Sequence, residues 1–571
     1  MATRDYPGPL GELKDGRKHP SENKLIECLD DLYEEGKKVR DRYLPPKQLE
    51  EDRKLYRGDW AKASGKEPYF DANFIQAFID RMTAQLTDNR PVLRIEHRKA
   101  GLKKLAQTTQ KVTTAVWEEC KMQRQLYKMC HTAGINACAG IYTGHDSEHD
   151  DVELEMLRLS QIVMDPMVKE AALLEKAEYL FVDRVQPLSL IRQRFPGRGA
   201  FVKADANISE NPEEAKRRTV LSPLTDLLSG KRDSQDALER ANIRECFIMD
   251  RQRAPDGTRL FPNGRRIVKC QDYVLWDGPY AYWDGVWPVD LFDWAVDPDH
   301  PFGMSAVKLL KRLQLSFNQL MDGTVENHII SNIISVIMDA DALQPESQKV
   351  LQKLQSTLVL RKQNRNSNVT ITPPPVFGAD KVAIAKQVFS IAQLLTGVTD
   401  VTLGENPGSL QSGQAVEGLQ EGANLMTRSR ASRLEDFMGR VGQKLIARVY
   451  QWWPSERVMH LVGPTGEAME YAFKRTEFFV NDDGSPMTPQ ERRDVFKYVR
   501  FRVQPGTSAP GSKLRRTELM MRLFGSGLAT GEDVLETAEF PDAAARAAKA
   551  MEEASKRDPK LAEKMRQSLG K

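Results

Sequence analysis

The chain has almost no net charge: 83 Lys and Arg stand against 80 Asp and Glu, a formal balance of +3 over 571 residues. Domains that grip nucleic acid with their whole surface are strongly basic, so that class is excluded and only a local basic stripe remains open. Long apolar runs are missing too. The greasiest stretch, 329–338, is about half of the roughly 20 residues a bilayer-spanning helix needs. The start, Met1-Ala-Thr-Arg-Asp-Tyr-Pro-Gly-Pro, has no apolar centre and no signal-peptide shape, so the chain is expected to be cytosolic when made. Cysteine is scarce: Cys28, Cys120, Cys130, Cys138, Cys246 and Cys270 contain no C-x-x-C pair. Thiols without disulfides, mostly buried, are expected.

Motifs of catalysis are absent as well. Gly65-Lys66 lacks a Gly five residues earlier and has Glu67 where a hydroxyl would bind magnesium, so it is no Walker loop. Gly197-Arg-Gly199 lacks the third Gly of a dinucleotide fingerprint, and no Gly-x-Ser-x-Gly elbow occurs. Cys130-His131 beside Cys138 lacks zinc spacing. Asp297-Pro-Asp-His300 reads as turn chemistry rather than an acid/base set. The best metal candidate is His145-Asp-Ser-Glu-His149-Asp-Asp151, whose imidazoles would share a face if the segment were helical. It also reads as a solvated acidic turn. A metal-dependent nuclease centred on His145 and His149 is the alternative from another functional class. The expectation remains no catalytic residue, no metal, no cofactor and no enzyme.

What is present is an ordinary globular balance, 40% hydrophobic and 29% charged, long enough for roughly three to five folding units. Residues 1–20 read as a loose arm. Ser21 is placed to cap a helix striped by Leu25, Leu29 and Leu32, ended by Pro45-Pro46. A second helix from Asp71 carries Phe74, Phe78 and Met82 beside Ile75, Ile79 and Leu86, and 101–138 read as one long or two short helices. Strand patterns follow at 161–164, 179–182 and 246–251, with Pro262-Asn-Gly264 as a hairpin turn and 205–242 as a polar surface excursion. Segment 277–304 is dense in aromatics, Pro and Gly and packs rings around fixed turns.

The centre changes character. From Ser305, Ala306, Leu310, Leu313, Phe317 and Leu320 step by 4, 3, 4, 3, a helix stripe that continues to about 328. A small α/β insert ends at Pro373-Pro-Pro375, with a helix at 345–356 and strands at 358–360 and 369–371. A further helix from Asp380 has the stripe Ile384, Val388, Ile391 and Leu395 and stops at Gly397. The polar, Gly-rich loop 398–413 is longer than most connections in a compact domain. A very long helix then reaches about Trp453, with Leu434, Met438, Val441 and Leu445 in register. Strands return at 478–480 and 498–503, and the chain is helical from 512.

This order of parts resembles the portal proteins of tailed double-stranded DNA bacteriophages. Tyr56-Arg-Gly-Asp-Trp60, Asn73 with Ile79-Asp80 and Pro91, Val163-Met-Asp-Pro166, and Pro301-Phe-Gly-Met-Ser305 followed by Gln314 and Asn318 carry the likeness, over about residues 50–455. The resemblance implies an α+β, predominantly helical portal fold of wing, stem, clip and crown, assembling as a ring. It divides the chain into an arm and helix at 1–50, an α/β wing at 51–304, a first stem helix at 305–330 and a clip at 331–378. A second stem helix at 379–397, a channel loop at 398–413, a spanning helix at 414–456, wing return strands at 457–506 and a helical crown at 507–571 complete it.

What the likeness further implies is a ring, usually of twelve copies, at one capsid vertex, through which double-stranded DNA is packaged and ejected. The partners implied are the terminase large subunit, the major capsid protein or scaffold, and a head-completion or tail adaptor, with no membrane. The location implied is the virion, after assembly in the host cytoplasm. A virion adaptor without a DNA channel is the third reading. Candidates for facing DNA are Lys308, Lys311, Lys381 and Lys386, with Thr402, Gly404, Asn406, Gly408 and Gln411 of the loop. Arg361, Lys362 and Arg365 are the clip or docking candidates. Arg312 adds to the same local charge as the lysines.

Overall fold

The computed structural model describes residues 6–10, 13, 19–59, 72–88, 93–98, 102–146, 151–205, 239–331, 335–338, 369–372, 379–398, 425–453, 456–462, 468–474, 479–480, 484–503, 513–526, 528–529, 531 and 534. In chain order the principal elements are α1 (Glu22–Tyr43), α2 (Pro46–Arg57), α3 (Phe74–Thr87), β1 (Leu93–His97), α4 (Lys103–Glu119), α5 (Met122–Asn136), β2 (Cys138–Asp146), β3 (Asp151–Arg158), β4 (Ile162–Met164), β5 (Tyr179–Pro187), α6 (Leu188–Arg194), β6 (Arg240–Ile248), β7 (Arg265–Cys270), β8 (Tyr273–Pro279) and β9 (Val289–Asp293). They continue with α7 (Ala306–Ser331), β10 (Ser335–Met338), β11 (Val369–Thr372), α8 (Ala379–Thr396), α9 (Leu425–Trp452), β12 (Glu456–Val462), β13 (Ala468–Lys474), α10 (Pro489–Tyr498), β14 (Val499–Val503) and α11 (Lys513–Gly525). The protein is mixed α+β, about half helical over the described residues, rather than predominantly helical. It divides into two compact units, one of 1–50, 79–306 and 424–571, the other of 51–78 and 307–423.

The first unit is built on an antiparallel sheet ordered β4-β5-β6-β7-β8 and a second ordered β3-β2-β9. Strand alternation sends every second side chain to the same face. One apolar set, Phe181, Cys246 and Ile267, meets Leu25, Leu29 and Leu32 of α1. Another core gathers Leu157, Ile162, Val182, Phe247, Trp287 and Leu291. Trp287 is fully buried and its indole N–H donates to the Ala177 carbonyl at 2.9 Å. The expected stripe of α9 is the buried one: Leu434, Met438, Val441 and Leu445 are all 2% exposed or less.

Several local expectations change. Ser21 makes no side-chain cap. Instead Glu22, 0% exposed, accepts from the His19 N–H at 3.0 Å and from Arg198 at 2.6 Å. The described part of the arm is tied down rather than loose: Leu10 is buried and its N–H donates to Asp277 at 2.9 Å, while Arg265 donates to the Pro7 carbonyl at 2.7 Å. The strand expected at 246–251 starts earlier, at Arg240, because 240–242 pair with Val185–Pro187. That takes three residues out of the polar excursion, whose 206–238 lie outside the described residues. Pro262-Asn-Gly264 does turn, but β6 already ends at Ile248, so no tight hairpin forms there. Strand β1, which pairs antiparallel with β14, was hidden by its polar composition, Leu-Arg-Ile-Glu-His.

The second unit holds α7, α8, the antiparallel pair β10–β11 and the first residues of α3. Both central helices fall where their periodicity placed them, but each turns a different side inward. On α8, Gln393 is buried, and so are Ala385, Ala392 and Thr396, with Phe389 half-buried in line with these three. This is again a 4-3-4 stripe, one residue along from the expected one. On α7, Val307, Leu310, Gln314, Asn318 and Thr324 are buried, while Leu313, Phe317 and Leu320 are only half-buried. Phe74, Phe78, Phe317 and Phe389 form a ring cluster, with centroids 5.6–6.3 Å apart. The expected helix at 345–356 and the strand at 358–360 lie outside the described residues.

Candidate functional site

Of the residues expected to face DNA, Lys308, Lys311, Lys381 and Lys386 are described, all on α7 or α8. Lys308 and Lys386 are exposed. Lys311 donates to Glu51 at 3.0 Å, an exposed pair that contributes little to stability. The Lys381 ammonium donates to the Gly323 carbonyl at 3.5 Å. The helices bring these lysines into one unit but do not gather them into a single cluster of direct contacts. Thr402, Gly404, Asn406, Gly408 and Gln411, and Arg361, Lys362 and Arg365, lie outside the described residues.

The residues shared with the portal pattern have structural roles that were not expected. Gln314 is fully buried, and its carbonyl oxygen accepts from the N–H groups of Phe74 at 3.0 Å and Ile75 at 3.3 Å. Those are the first N–H groups of α3, which no intrahelical carbonyl can reach. The Gln314 amide donates to the Ala72 carbonyl at 2.6 Å and to Asn318 at 2.8 Å. Asn73 caps the same helix, accepting from Gln76 N–H at 3.0 Å, and donates to the Tyr56 carbonyl at 2.7 Å. In the other unit, Gly303 adopts φ +67°, and a Cβ there would stand 2.3 Å from the Ala295 carbonyl oxygen. Only glycine fits. The one sequence signal for the Gln314 clamp was two amides four residues apart on an apolar helix.

The metal reading is not supported by local geometry. His145 is not on a helix; it lies in β2 opposite Val152. Its ring stacks on Trp452 with centroids 4.1 Å apart, and its backbone N–H donates to the Tyr282 hydroxyl at 3.1 Å. His149 lies outside the described residues, and among the described residues no three His, Cys, Asp or Glu side chains converge as a metal site. Asp297 and His300 form a turn: Asp297 accepts from the Asp299 N–H at 3.0 Å, and His300, 3.4 Å from Asp297, accepts from the Phe302 N–H at 3.3 Å. Cys130 is buried, and burial pushes its thiol up to about 12, far from any ligand role at neutral pH.

The family model described as Phage P22-like portal protein matches residues 26–569. Among curated proteins nothing matches.

Proposed function

On the premise that this chain belongs to the Phage P22-like portal protein family, we propose that it works as one copy of a twelve-membered ring whose α7 and α8 stand around the axis. The family fixes the broader function: this is a phage portal protein, a structural component of the virion through which DNA is packaged and ejected at the capsid vertex, and not an enzyme. Family membership implies an oligomeric ring with DNA and capsid partners. The nuclease reading is thereby set aside. Among the described residues no helix is long and apolar enough to cross a membrane.

One observation carries the ring proposal. The apolar stripe that α8 does not bury in its own unit remains outside: Ile384 is 48% exposed, Ile391 40%, Leu394 72% and Leu395 37%. On α7, Leu309 at 44% and Leu315 at 42% do the same. A grouped apolar face of this kind marks an association surface. A ring requires that one face of each copy meet a different face of the next. In this reading 331–378 are the clip, 398–413 the channel loop, 51–304 with 457–506 the wing and 507–571 the crown. Pairing of β1 with β14 supports joining the two wing stretches, and the antiparallel pair β10–β11 supports a clip built between the two helices.

The terminase large subunit docks at the clip through Arg361, Lys362 and Arg365, and the adaptor later takes the same end. Exposed Lys308 and Lys386, with the loop residues, face DNA weakly, because each strong phosphate contact would slow a sliding duplex. Electron microscopy of the purified protein tests this. Closed rings with an axial hole wider than the roughly 20 Å of duplex DNA are expected. Single compact particles would refute ring assembly, and a sealed axis would favour the adaptor without a channel.

A further inference from the structure

Buried polar atoms are nearly always hydrogen-bonded, so each exception needs a partner. In the first unit several such exceptions meet at one place. Among the described residues, Nη2 of Arg184, Oε1 of Gln186, Nε of Arg266 and Nε1 of Trp452 have no hydrogen-bond partner, and all four side chains line one cavity of about 590 Å³. A second cavity of about 620 Å³ shares Arg184 and Gln186 with it. Strand pairing explains the convergence. Arg184 is opposite Ile243 and Glu245 opposite Val268, so Arg184, Gln186, Glu245 and, one strand on, Arg266 sit on the sheet face turned away from α1.

The charges there are incompletely matched. Arg184, whose side chain is 7% exposed, stands 3.5 Å from Glu245 and 2.8 Å from Glu155, with its guanidinium 3.9 Å over the Tyr142 ring. Arg266 pairs with the same Glu245, so two guanidinium groups divide one buried carboxylate. Glu153 is 3.8 Å from Arg184 Nη2, beyond hydrogen-bond range, and burial raises its pKa, which favours its neutral form. Three N–H donors and one acceptor are therefore unspent beside two guanidinium groups whose carboxylate partners, Glu245 and Glu155, leave those donors unmet. The walls also carry indoles: Trp452, and Trp276 at 49% exposed. Guanidinium forks suit oxyanions, and indole rings suit flat molecules.

We propose that this cavity binds a small organic anion of the nucleoside monophosphate class. The phosphate sits on Arg184 and Arg266, Gln186 accepts from an N–H or O–H of the ligand, and the flat base lies against Trp276. All the residues that line the site belong to one copy.

The probe is adenosine monophosphate, titrated into the full-length protein and followed by tryptophan fluorescence and calorimetry. Saturable binding with a Kd below about 1 mM is expected, at least about tenfold tighter than adenosine or inorganic phosphate alone. Arg266→Gln and Trp276→Ala should each weaken it about tenfold or more. Trp276 is half-exposed, so its replacement leaves the fold intact and keeps the test valid if Arg266→Gln unfolds. Absence of saturation by about 10 mM would overturn the assignment. So would adenosine binding as tightly as the monophosphate, or Trp276→Ala binding unchanged.

Discussion

At the scale of single residues, the clearest determinants are polar groups placed where only one partner fits. Gln314 satisfies two helix-start N–H groups at once and is itself anchored by Ala72 and Asn318. Gln314→Leu keeps the bulk but strands those donors in a buried site, so a loss of about 2–4 kcal/mol is expected, read as a lower melting temperature. Gln314→Glu, which can still accept from both N–H groups, should lose less. The thiols offer a second test. Cys130, Cys138, Cys246 and Cys270 are buried, whereas Cys28 and Cys120 are partly exposed. Labelling of the native protein at neutral pH should be confined to Cys28 and Cys120, with the other four reacting only in denaturant.

The same burial links stability to pH. Desolvation raises Cys130 and Cys270 to about 12 and lifts Cys246 and Tyr280 as well. Each such group is held neutral in the folded state and ionises more easily when unfolded. For the thiols the stabilisation is complete below the unfolded value of about 8.5, for the phenol below about 10, and each is lost as pH rises toward the folded value. Melting temperature should therefore fall between pH 8.5 and pH 10.5, a window set by the reference thiol value; a flat profile across it would contradict the assignment. Most of these residue roles were not legible in the sequence, because Gln314 and Asn73 look like any surface amide until a second segment is placed against them.

Among the elements, periodicity located helices well and orientation poorly. Stripes in α1, α3 and α9 are buried as expected, because each has one dominant apolar side. Helix α8 has two adjacent 4-3-4 stripes, Ile384-Val388-Ile391-Leu395 and Ala385-Phe389-Ala392-Thr396. The smaller one packs inward. Hydrophobicity alone ranks the stripes the other way. Element ends follow local chemistry more closely. Helix α10 starts in a reciprocal box: Thr488 accepts from the Glu491 N–H at 3.3 Å while Glu491 accepts from the Thr488 N–H at 3.0 Å. Thr488→Ala should cost about 1 kcal/mol and speed amide exchange in the first turn of α10. Gly397, at φ +75°, ends α8 with its N–H on the Gln393 carbonyl at 2.9 Å.

For the molecule as a whole, the apolar stripe left outside α8 predicts how copies associate. Ile391→Glu with Leu394→Glu should leave far-ultraviolet circular dichroism unchanged and shift native mass from the ring toward single chains. Rings that persist at full yield would show that α8 does not form the interface. The sequence by itself determined the places of the helices α7, α8 and α9, the lack of a nucleotide motif and the likeness to portals. These depend on composition and short-range spacing, which survive without a fold. Only tertiary structure decided which stripe of α8 faces inward, that Arg265 ties the arm to the sheet through Asp277 at 2.7 Å, and that Arg184, Gln186, Arg266 and Trp452 meet at one cavity. Those outcomes depend on contacts between segments tens to hundreds of residues apart, where burial and unpaired polar groups, rather than local preference, set the free energy.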